Sequence, residues 1–567
     1  MEGIGASPGY AVAKVFIKKS FKEPVFSKIE NVMEAFDQLD MAIIEADQRI
    51  KTLMEKTKLE IGEKEGDVFK AHLMMLHDPE LINPIKEKVK KEICNPAYAV
   101  LVVRNELMAI FEAMDNAYMR ERKADVKDVC DRVIKLLMGI NDDILSTDEP
   151  VIVVAHDLTP SDTASIKKGT VAGFITEVGG KTSHSAIMAR SLEIPAVLGV
   201  EGIMGQIKNG QIIALDGFTG NLVMDPEESM VLAYSNKIRA YHEEKEALKV
   251  YMNCPSVTED GHRVELACNI GRPEETENVI LNDGEGIGLF RSEFLYMDRD
   301  QMPSEEEQFI AYKEVLQSMK DKTVVIRTLD VGGDKQLSYL DFPKEENPFL
   351  GFRAIRFCLA NPSIFNVQLR ALLRASVYGN LNIMFPMISN IREIRKAKSL
   401  IEAIKASLTE EHIPYGNFKI GIMIEIPAAA LIADQLAKEV DFFSIGTNDL
   451  IQYTTAVDRM NQRIADLYSP YHPGLLKLIK MVVDAGKRND IWVGMCGEVA
   501  GDEKLIPFLI AIGLDEFSMS PSSILKSRKL IKQLNFKSLQ EHVDKILNAE
   551  DTYEVLALLD QYFAPLN

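Results

Sequence analysis

The chain has 567 residues and a formal net charge of −20, and 46% of its residues are hydrophobic. A chain of this length is expected to form three or four domains, or fewer if one is a large barrel. The acidity argues against nucleic acid as a partner, because its phosphates need a basic face, and it indicates that any protein partner is neutral or basic.

The six cysteines form no CxxC pair and no cluster with histidine. This spacing argues against a disulfide framework and against a structural zinc site, and it fits a reducing cytoplasm. The opening residues have neither the basic start nor the apolar core of a signal peptide. Since no apolar run is long enough to span a bilayer, we expect a cytoplasmic protein without membrane insertion.

A helical pattern runs from about residue 28 to residue 140. Hydrophobic residues recur at spacings of three and four, as on one face of a helix: Val32, Phe36, Leu39, Ile43, Ala46, Ile50 and Leu53. Charged residues fill the opposite faces, which is typical of a helical bundle or of long helical hairpins.

Short β-rich runs separated by turns replace the helical pattern at about residue 150. They occupy residues 151–157, 171–177, 196–200 and 211–217, and residues 3–17 have the same character. We therefore predict an α/β domain made of residues 1–22 and 143–225. A helical domain, residues 23–142, is predicted to be inserted into it.

Asp225 and Pro226 mark the predicted start of a linker helix, because Asp is a good N-cap and Pro suits the first helical turn. The helical spacing continues through Val231, Tyr234, Ile238 and Tyr241. We expect residues 226–255 to link the two halves of the chain.

Eight β-rich runs alternate with helical segments after residue 260. Their cores are residues 264–270, 286–290, 323–328, 381–387, 420–426, 441–446, 491–496 and 515–520. This count predicts a (β/α)8 TIM barrel over residues 256–567, and the alternative is an open doubly wound sheet. The barrel is favoured because polar residues follow the strand ends, where barrel active sites form: Asn269, Arg291, Arg327, Glu425, Asn448, Asp449 and Cys496.

The first chemical motif is GGKTSHSAIMAR, residues 179–190. Its glycines permit a tight turn after a strand, Thr182 or Ser183 can cap the next helix, and His184 lies in that helix's first turn. The N–H groups and the dipole of a helix start favour an anion there, such as a phosphoryl group on the imidazole. Taken alone, a histidine in this position is more often structural.

Four arginines follow barrel strands or lie in the loops after them: Arg291, Arg327, Arg353 and Arg459. A guanidinium group binds phosphate or carboxylate through two parallel N–H groups. For a single arginine, an ion pair with a nearby acid such as Glu293 or Asp298 is the simpler explanation. Four at one end of a barrel favour a small anionic substrate.

Glu425 and Asp449 end consecutive predicted strands, so we expect them to be neighbours. Two carboxylates, completed by substrate oxygens and water, make a typical Mg²⁺ site. Cys496 ends a later strand beside glycines, where we expect it to be exposed enough to act. An unpaired cysteine is otherwise more often buried and inert.

Five segments together resemble enzyme I of the bacterial phosphoenolpyruvate–sugar phosphotransferase system: GGKTSHSAIMARSLEIPAV, LFRSEFLYMDRD, KEENPFLGFRAIR, DFFSIGTNDLIQY and GMCGEVAGDE. The resemblance covers essentially the whole chain. It implies transfer of the phosphoryl group of phosphoenolpyruvate to His184 with release of pyruvate, and then to the histidine phosphocarrier protein, as the first step of sugar uptake. It also implies Mg²⁺ as cofactor, a swinging movement of the α/β domain, and a homodimer formed through the barrel.

The resemblance also implies roles for individual residues. Thr163 hydrogen-bonds His184, Glu425 and Asp449 bind Mg²⁺, and Cys496 is the acid that protonates the enolate. The predicted substrate-binding residues are Arg291, Arg327, Asn448 and Arg459, with Arg353 and Asp449 beside them. The predicted docking residues for the carrier protein are His72, Met74, Asp78, Glu80 and Arg122. Lys181 stands where arginine is more often expected, which affects a secondary contact.

Three other functions are weaker alternatives. An ATP-linked enzyme such as pyruvate phosphate dikinase or phosphoenolpyruvate synthase needs a large nucleotide-binding domain, and residues 1–150 are too few and too helical to supply it. GGKTS is not a nucleotide P-loop, since that pattern needs a glycine at position 175, where this chain has Ile175. A barrel lyase would not need the GGKTSH segment, and a regulatory binding protein would not need the metal carboxylates.

Overall fold

The computed structural model describes residues 1–18, 21–60, 63–112, 117–140, 149–159, 162, 169–180, 184–192, 194–297, 299, 301–333, 337, 339–340, 342, 345–459 and 461–563. The chain divides into two compact units, Met1–Glu246 and Ala247–Asn567. None of the described helices combines the length and the apolarity that a membrane span requires.

The first unit contains a mixed sheet of seven described strands. In chain order they are β1 Ile4–Ser7, β2 Tyr10–Ile17, β3 Val151–Ala155, β4 Val171–Thr176, β5 Ala196–Leu198, β6 Ile212–Asp216 and β7 Leu222–Met224. Their order in the sheet is β1-β5-β4-β3-β2-β6-β7. The pairs from β2 to β5 are parallel, and β1, β6 and β7 pair antiparallel. Apolar side chains are buried on both faces of this sheet.

Five described helices lie between β2 and β3 in the chain: α1 Val32–Glu60, α2 Glu63–Leu76, α3 Pro79–Glu92, α4 Pro96–Glu112 and α5 Ala117–Leu137. They enclose a hydrophobic core of their own. Leu39, Ile43, Ala46 and Ile50 are buried in it, as the spacing of apolar residues along α1 predicts. Three helices follow in the α/β part: α6 His184–Ser191, α7 Ile203–Gln206 and α8 Glu228–Leu248.

The linker helix begins two residues later than predicted, at Glu228 instead of Pro226. Asp225 has φ 45°, its N–H donates to Ile212 O at 3.0 Å, and its carboxylate accepts from Gln211 at 2.7 Å. These contacts tie Asp225 to the sheet instead of to a helix start. Helix α8 begins at Glu228, and the amides of its first turn bond to Glu227 O.

The second unit contains a closed barrel of parallel strands. They are β8 Glu265–Ile270, β9 Gly286–Arg291, β10 Thr323–Arg327, β11 Asn380–Phe385, β12 Phe418–Ile424, β13 Phe442–Ile445, β14 Trp492–Met495 and β15 Glu516–Met519. Each strand pairs with its neighbours in chain order, and β15 pairs with β8 to close the ring. The predicted TIM barrel is therefore confirmed, and the open sheet is excluded.

Helices surround the barrel strands. Those described are α9 Thr276–Leu281, α10 Glu305–Met319, α11 Ile355–Ala360, α12 Pro362–Ala375, α13 Ile391–Glu410, α14 Pro427–Leu431, α15 Ala433–Ala437, α16 Thr447–Thr455, α17 Pro473–Arg488, α18 Ile506–Ile512, α19 Ile524–Lys532, α20 Phe536–Gln540, α21 Val543–Leu547 and α22 Thr552–Tyr562. The starts of α10 and α13 are fixed by capping boxes, Ser304 with Glu307 and Asn390 with Glu393. Their apolar faces join the strands in one large core.

Candidate functional site

Two arginines lie side by side at the carboxyl ends of neighbouring barrel strands. Arg291 ends β9 and Arg327 ends β10, and the strand register pairs the two residues directly. Arg291 is exposed, whereas Arg327 is buried. The barrel therefore presents one exposed and one buried guanidinium at the end where active sites form.

Arg327 is held by two buried acids. Its Nη2 donates to Glu293 Oε1 at 2.5 Å, and its Nη1 lies 3.0 Å from Asp330 Oδ2. Burial alone would lower the pKa of Arg327, but Glu293 and Asp330 raise it above the ordinary value. Arg327 thus forms the ion pair with Glu293 that is the simpler explanation for a single arginine in this position. The ion pair also holds the guanidinium group in place.

Arg353 extends this network behind the strand ends. Its Nη2 donates to both carboxylate oxygens of Asp330, at 3.0 and 3.3 Å, and lies 3.5 Å from Asp449 Oδ2. Its Nη1 donates to the Tyr453 hydroxyl at 3.3 Å. Arg459 Nη1 lies 3.7 Å from Asp449 Oδ1, so Asp449 has an arginine near each oxygen.

Glu425 and Asp449 are both buried beside this network. Burial and the negative charges of Asp449 and Asp330 raise the pKa of Glu425 to about 8. Glu425 Oε1 accepts the Met387 N–H at 2.5 Å, and Asp449 Oδ1 accepts no hydrogen bond from the described residues. An oxygen without a hydrogen bond beside a second acid can supply part of the oxygen donor set that a hard divalent cation requires.

A cation bound there would rely on oxygens from outside the chain. Among the described residues, no group of three or more His, Cys, Asp and Glu has an arrangement that could hold a metal. Two carboxylates completed by substrate oxygens and water is the usual arrangement for Mg²⁺. The residues present therefore fit Mg²⁺ in that form.

Cys496 directly follows β14 and is only 4% exposed. The predicted exposure is therefore wrong, because the thiol packs against side chains of the barrel strands. Its Sγ donates to Ile445 O at 3.8 Å, and burial raises the pKa of the thiol to about 12. The side chain of Asn269 holds the same strand ends by donating to Cys496 O and Ser518 O at 3.2 and 3.1 Å.

Sequence reasoning missed two parts of this site. Asp330 bridges Arg327 and Arg353, and it follows β10 just as the predicted residues follow their strands, so the same criterion could have found it. The second part is backbone strain: Ala354 and Met387 have φ 52° and 56°, which the sequence does not signal. Such strain is often stored next to functional groups.

Helix α6 begins at His184, which places this residue in a first helical turn. The turn is attached to the loop after β3, since Ser185 Oγ donates to Leu158 O at 3.1 Å and lies 3.4 Å from Asp157 Oδ1. Arg190 Nη1 donates to Ala6 O at 2.9 Å and ties the other end of the helix to β1. The side chain of His184 and the whole of Thr163 and Lys181 lie outside the described residues.

Comparison with known proteins assigns the family. The descriptions "PEP-utilising enzyme, PEP-binding domain", "N-terminal" and "mobile domain" match residues 245–536, 2–122 and 147–220. Proteins named phosphoenolpyruvate-protein phosphotransferase from Priestia megaterium and Bacillus subtilis (strain 168) are 50% and 49% identical, with 99% of both chains aligned. The chain belongs to the phosphoenolpyruvate-protein phosphotransferase family, also named enzyme I. A solution structure titled Enzyme I (nEIt) is 39% identical and covers 43% of this chain and 99% of its own, with a TM-score of 0.37.

In this member of the enzyme I family, the predicted docking residues differ in exposure. Met74 is 76% exposed, and Asp78 caps α3 by accepting the N–H of the exposed Glu80 at 2.9 Å. His72 is only 1% exposed, and its ring lies 3.3 Å from Asp125 and 3.7 Å from Asp128. Its ring is therefore turned into the helical core in this structure. The side chain of Arg122 lies outside the described residues.

Proposed function

We propose that the chain transfers the phosphoryl group of phosphoenolpyruvate to His184, releases pyruvate, and passes the group to the histidine phosphocarrier protein as the first step of sugar uptake. Family membership supports the overall reaction. The observation that carries the proposal for this chain is the buried network of Arg327, Arg353, Asp449 and Glu425 at the carboxyl end of the barrel.

The arginines suit a substrate that carries both a carboxylate and a phosphate. Arg327 is anchored by Glu293 and Asp330, so its charge is oriented before substrate binds. Preorganised donors stabilise the charge that develops in a transition state without a cost of reorientation. Arg291 is exposed at the same strand ends, where it would contact the substrate. Arg353, Arg459 and Asn448 complete the proposed binding residues.

Glu425 and Asp449 would hold Mg²⁺. When bound, the cation supplies positive charge to the phosphoryl and leaving oxygens. It would also relieve the repulsion that raises the pKa of Glu425. Asp449 also lies close to the guanidinium groups of Arg353 and Arg459, at 3.5 and 3.7 Å.

Two side chains would perform the proposed chemistry, His184 as the nucleophile and Cys496 as the acid. The neutral imidazole of His184 attacks phosphorus, a P–N bond forms, and the P–O bond to the enol oxygen breaks with its electron pair remaining on oxygen. The resulting enolate takes a proton at carbon from the Cys496 thiol and becomes pyruvate. A thiol with a pKa of about 12 stays protonated at neutral pH, which is what an acid in this step requires.

The remaining roles rest on the relatives and on the exposure of side chains. Residues 23–142 would bind the phosphocarrier protein, with Met74, Asp78 and Glu80 exposed for contact. Thr163 would hydrogen-bond His184, and the barrel would form the homodimer. The α/β part, residues 1–22 and 143–225, would move about the linker at residues 226–255 and carry His184 between donor and acceptor.

Labelling of the full chain tests the proposal. Phosphoenolpyruvate carrying ³²P, supplied with MgCl₂, should label wild type and a His242→Ala control, and His184→Ala should remain unlabelled. The label should be stable in alkali and lost in acid, as expected of a phosphohistidine. Efficient labelling by ³²P-ATP would favour the ATP-linked alternative, and labelling of His184→Ala would contradict the assignment of the acceptor.

A further inference from the structure

The barrel has a polar cavity at the end opposite the candidate site. Its volume is ≈ 280 Å³, and the residues that line it are at the beginnings of strands, including Glu265, Trp492 and Glu516. The interior of a TIM barrel is usually filled by branched apolar side chains. A cavity lined by acids in that position needs an explanation.

Glycines make room for the most buried of these acids. A methyl group on Gly288 would overlap Glu516 Oε1, and one on Gly494 would overlap Oε2. The Glu516 carboxyl group therefore occupies the space that side chains of β9 and β14 would otherwise fill. It is 5% exposed, and neither of its oxygens accepts a hydrogen bond from the described residues.

An amide group provides an independent sign that the cavity receives a ligand. Asn382 on β11 lines the cavity and is 2% exposed. Its Oδ1 also accepts no hydrogen bond from any described residue. Buried polar atoms in folded proteins are almost always hydrogen-bonded, so three oxygen atoms of this cavity lack donors that a bound molecule would supply.

The charge of the lining sets the chemistry of that molecule. Glu265, Asp515 and Glu516 are acids, and the strand register places Glu516 directly beside Glu265. Lys419 is the basic residue of the lining and is exposed. The acids outnumber the bases, so a cationic ligand is favoured over an anionic one.

The form of the cavity favours an organic cation over a metal ion. The cavity volume is many times that of a bare ion. Trp492 forms part of the wall and stacks on Phe442 with ring centroids 4.4 Å apart. Aromatic walls beside carboxylates are typical of sites for ammonium groups.

We propose that this cavity binds a small primary ammonium compound, with its N–H groups donating to Glu516, Glu265 and Asn382. Binding would draw a proton from Glu516, because burial and the neighbouring Glu265 raise the pKa of that carboxyl group well above its ordinary value. Asp515 and Lys419 are the other charged groups that line the cavity. Affinity should therefore increase with pH, and binding should release a proton. The proposal is independent of the function proposed for the opposite end of the barrel.

The single tryptophan of the chain offers a direct readout, since Trp492 is in the cavity wall. Ethylammonium chloride, titrated into the full chain at constant ionic strength, should change its fluorescence saturably. Tetramethylammonium, which has no N–H group, should bind more weakly. Glu516→Gln and Asn382→Ala should each weaken ethylammonium binding about tenfold or more, the cost of a lost charge-assisted or buried hydrogen bond.

The matched control is Glu314→Gln, which removes an exposed carboxylate on α10 and should leave ethylammonium binding unchanged. Thermal unfolding of each variant establishes that it is folded. A saturable response to MgCl₂ that depends on Glu516, with none to ethylammonium, would identify a metal site and overturn the proposal. The absence of any saturable response would leave water as the occupant and would also contradict the proposal. Binding of ethylammonium by Glu516→Gln with the affinity of wild type would contradict it as well.

Discussion

At the scale of single residues, burial decides what Cys496 can do. A thiol that is 4% exposed and has a pKa of about 12 retains its proton at neutral pH, so it is suited to donate a proton and unsuited to act as a nucleophile. Closed packing of the strands creates this environment. The local sequence GMCGE suggests an exposed thiol, because glycines are typical of turns. The local sequence does not show which distant strands cover this turn.

Replacing Cys496 by alanine should separate the two halves of the reaction. The variant should fold with a stability loss of about 1 kcal/mol, since only one buried sulfur is removed, and pyruvate formation should fall by 10² or more because the proton donor is lost. His184 should still accept a phosphoryl group from the phosphorylated carrier protein. Pyruvate release measured at the wild-type rate would contradict the role of the thiol.

Glu425 gives the stability of the barrel a defined pH dependence. Its pKa is raised to about 8 by burial and by Asp449 and Asp330, so the native state binds the proton more tightly than the unfolded chain does. The stabilisation from that proton is complete below about pH 4 and is lost as the pH rises through about 8. Without Mg²⁺, the free energy of unfolding of wild type should therefore fall over this window more than that of Glu425→Gln.

Urea unfolding followed by the fluorescence of Trp492 measures this difference, because the chain's single tryptophan is in the barrel. We expect the difference between pH 5 and pH 8 to be on the order of 1 kcal/mol or more. MgCl₂ at pH 8 should restore stability to wild type and not to Glu425→Gln. Parallel pH dependence of the two proteins would show that Glu425 does not carry the effect.

Site residues could be predicted where chemistry follows a strand end. Arg327, Glu425 and Asp449 are recognisable by residue type and position alone. The acid that holds these arginines in place, Asp330, is harder to predict. It contacts both Arg327 and Arg353, which lie in separate segments of the chain. Pairing between loops depends on the path of the backbone, which local patterns do not specify.

At the scale of elements, the barrel strands were predictable because strands buried on both faces are continuous β-rich runs. The first residues of helices were less predictable from the sequence. Asp225 and Pro226 have the composition of an N-terminus, but Asp225 is used in the sheet through Ile212 and Gln211. Tertiary hydrogen bonds outweighed the capping preference, which contributes only about 1 kcal/mol.

The loop after β10 depends on a glycine that lies against Arg353. Gly332 has φ +100°, and a Cβ there would lie 2.7 Å from Arg353 Cβ and 2.9 Å from Phe352 O. Gly332→Ala should therefore displace Arg353, reduce the free energy of unfolding by about 1–3 kcal/mol and raise KM for phosphoenolpyruvate. Urea unfolding and steady-state kinetics measure the two effects.

Gly333→Ala is the matched control for this loop. Gly333 also has a positive φ, +66°, but its nearest neighbour would be Phe349 Cδ1 at 3.6 Å, an ordinary contact. Only the backbone strain of about 1 kcal/mol remains, and KM should change little. Equal changes in KM for the two variants would mean that contact with Arg353 is not what the loop requires.

At the scale of the whole molecule, the reacting groups are divided between two compact units. His184 belongs to Met1–Glu246, and the arginine and carboxylate network belongs to Ala247–Asn567. The division falls within α8, Glu228–Leu248, and each unit has its own hydrophobic cores. Neither unit alone contains both a phosphoryl acceptor and the groups proposed to bind phosphoenolpyruvate.

Two fragments test this division of labour. Residues 1–248 should fold alone, because few contacts are expected to cross a domain boundary, and should accept a phosphoryl group from the phosphorylated carrier protein, since that exchange needs only docking and in-line geometry. Residues 249–567 should bind phosphoenolpyruvate in the presence of Mg²⁺ and remain unlabelled. Neither fragment alone should form pyruvate.

Circular dichroism checks folding, and the full chain serves as the positive control for ³²P labelling by both donors. Labelling of residues 1–248 directly by phosphoenolpyruvate would place the substrate site outside the barrel and would contradict every role proposed for its arginines.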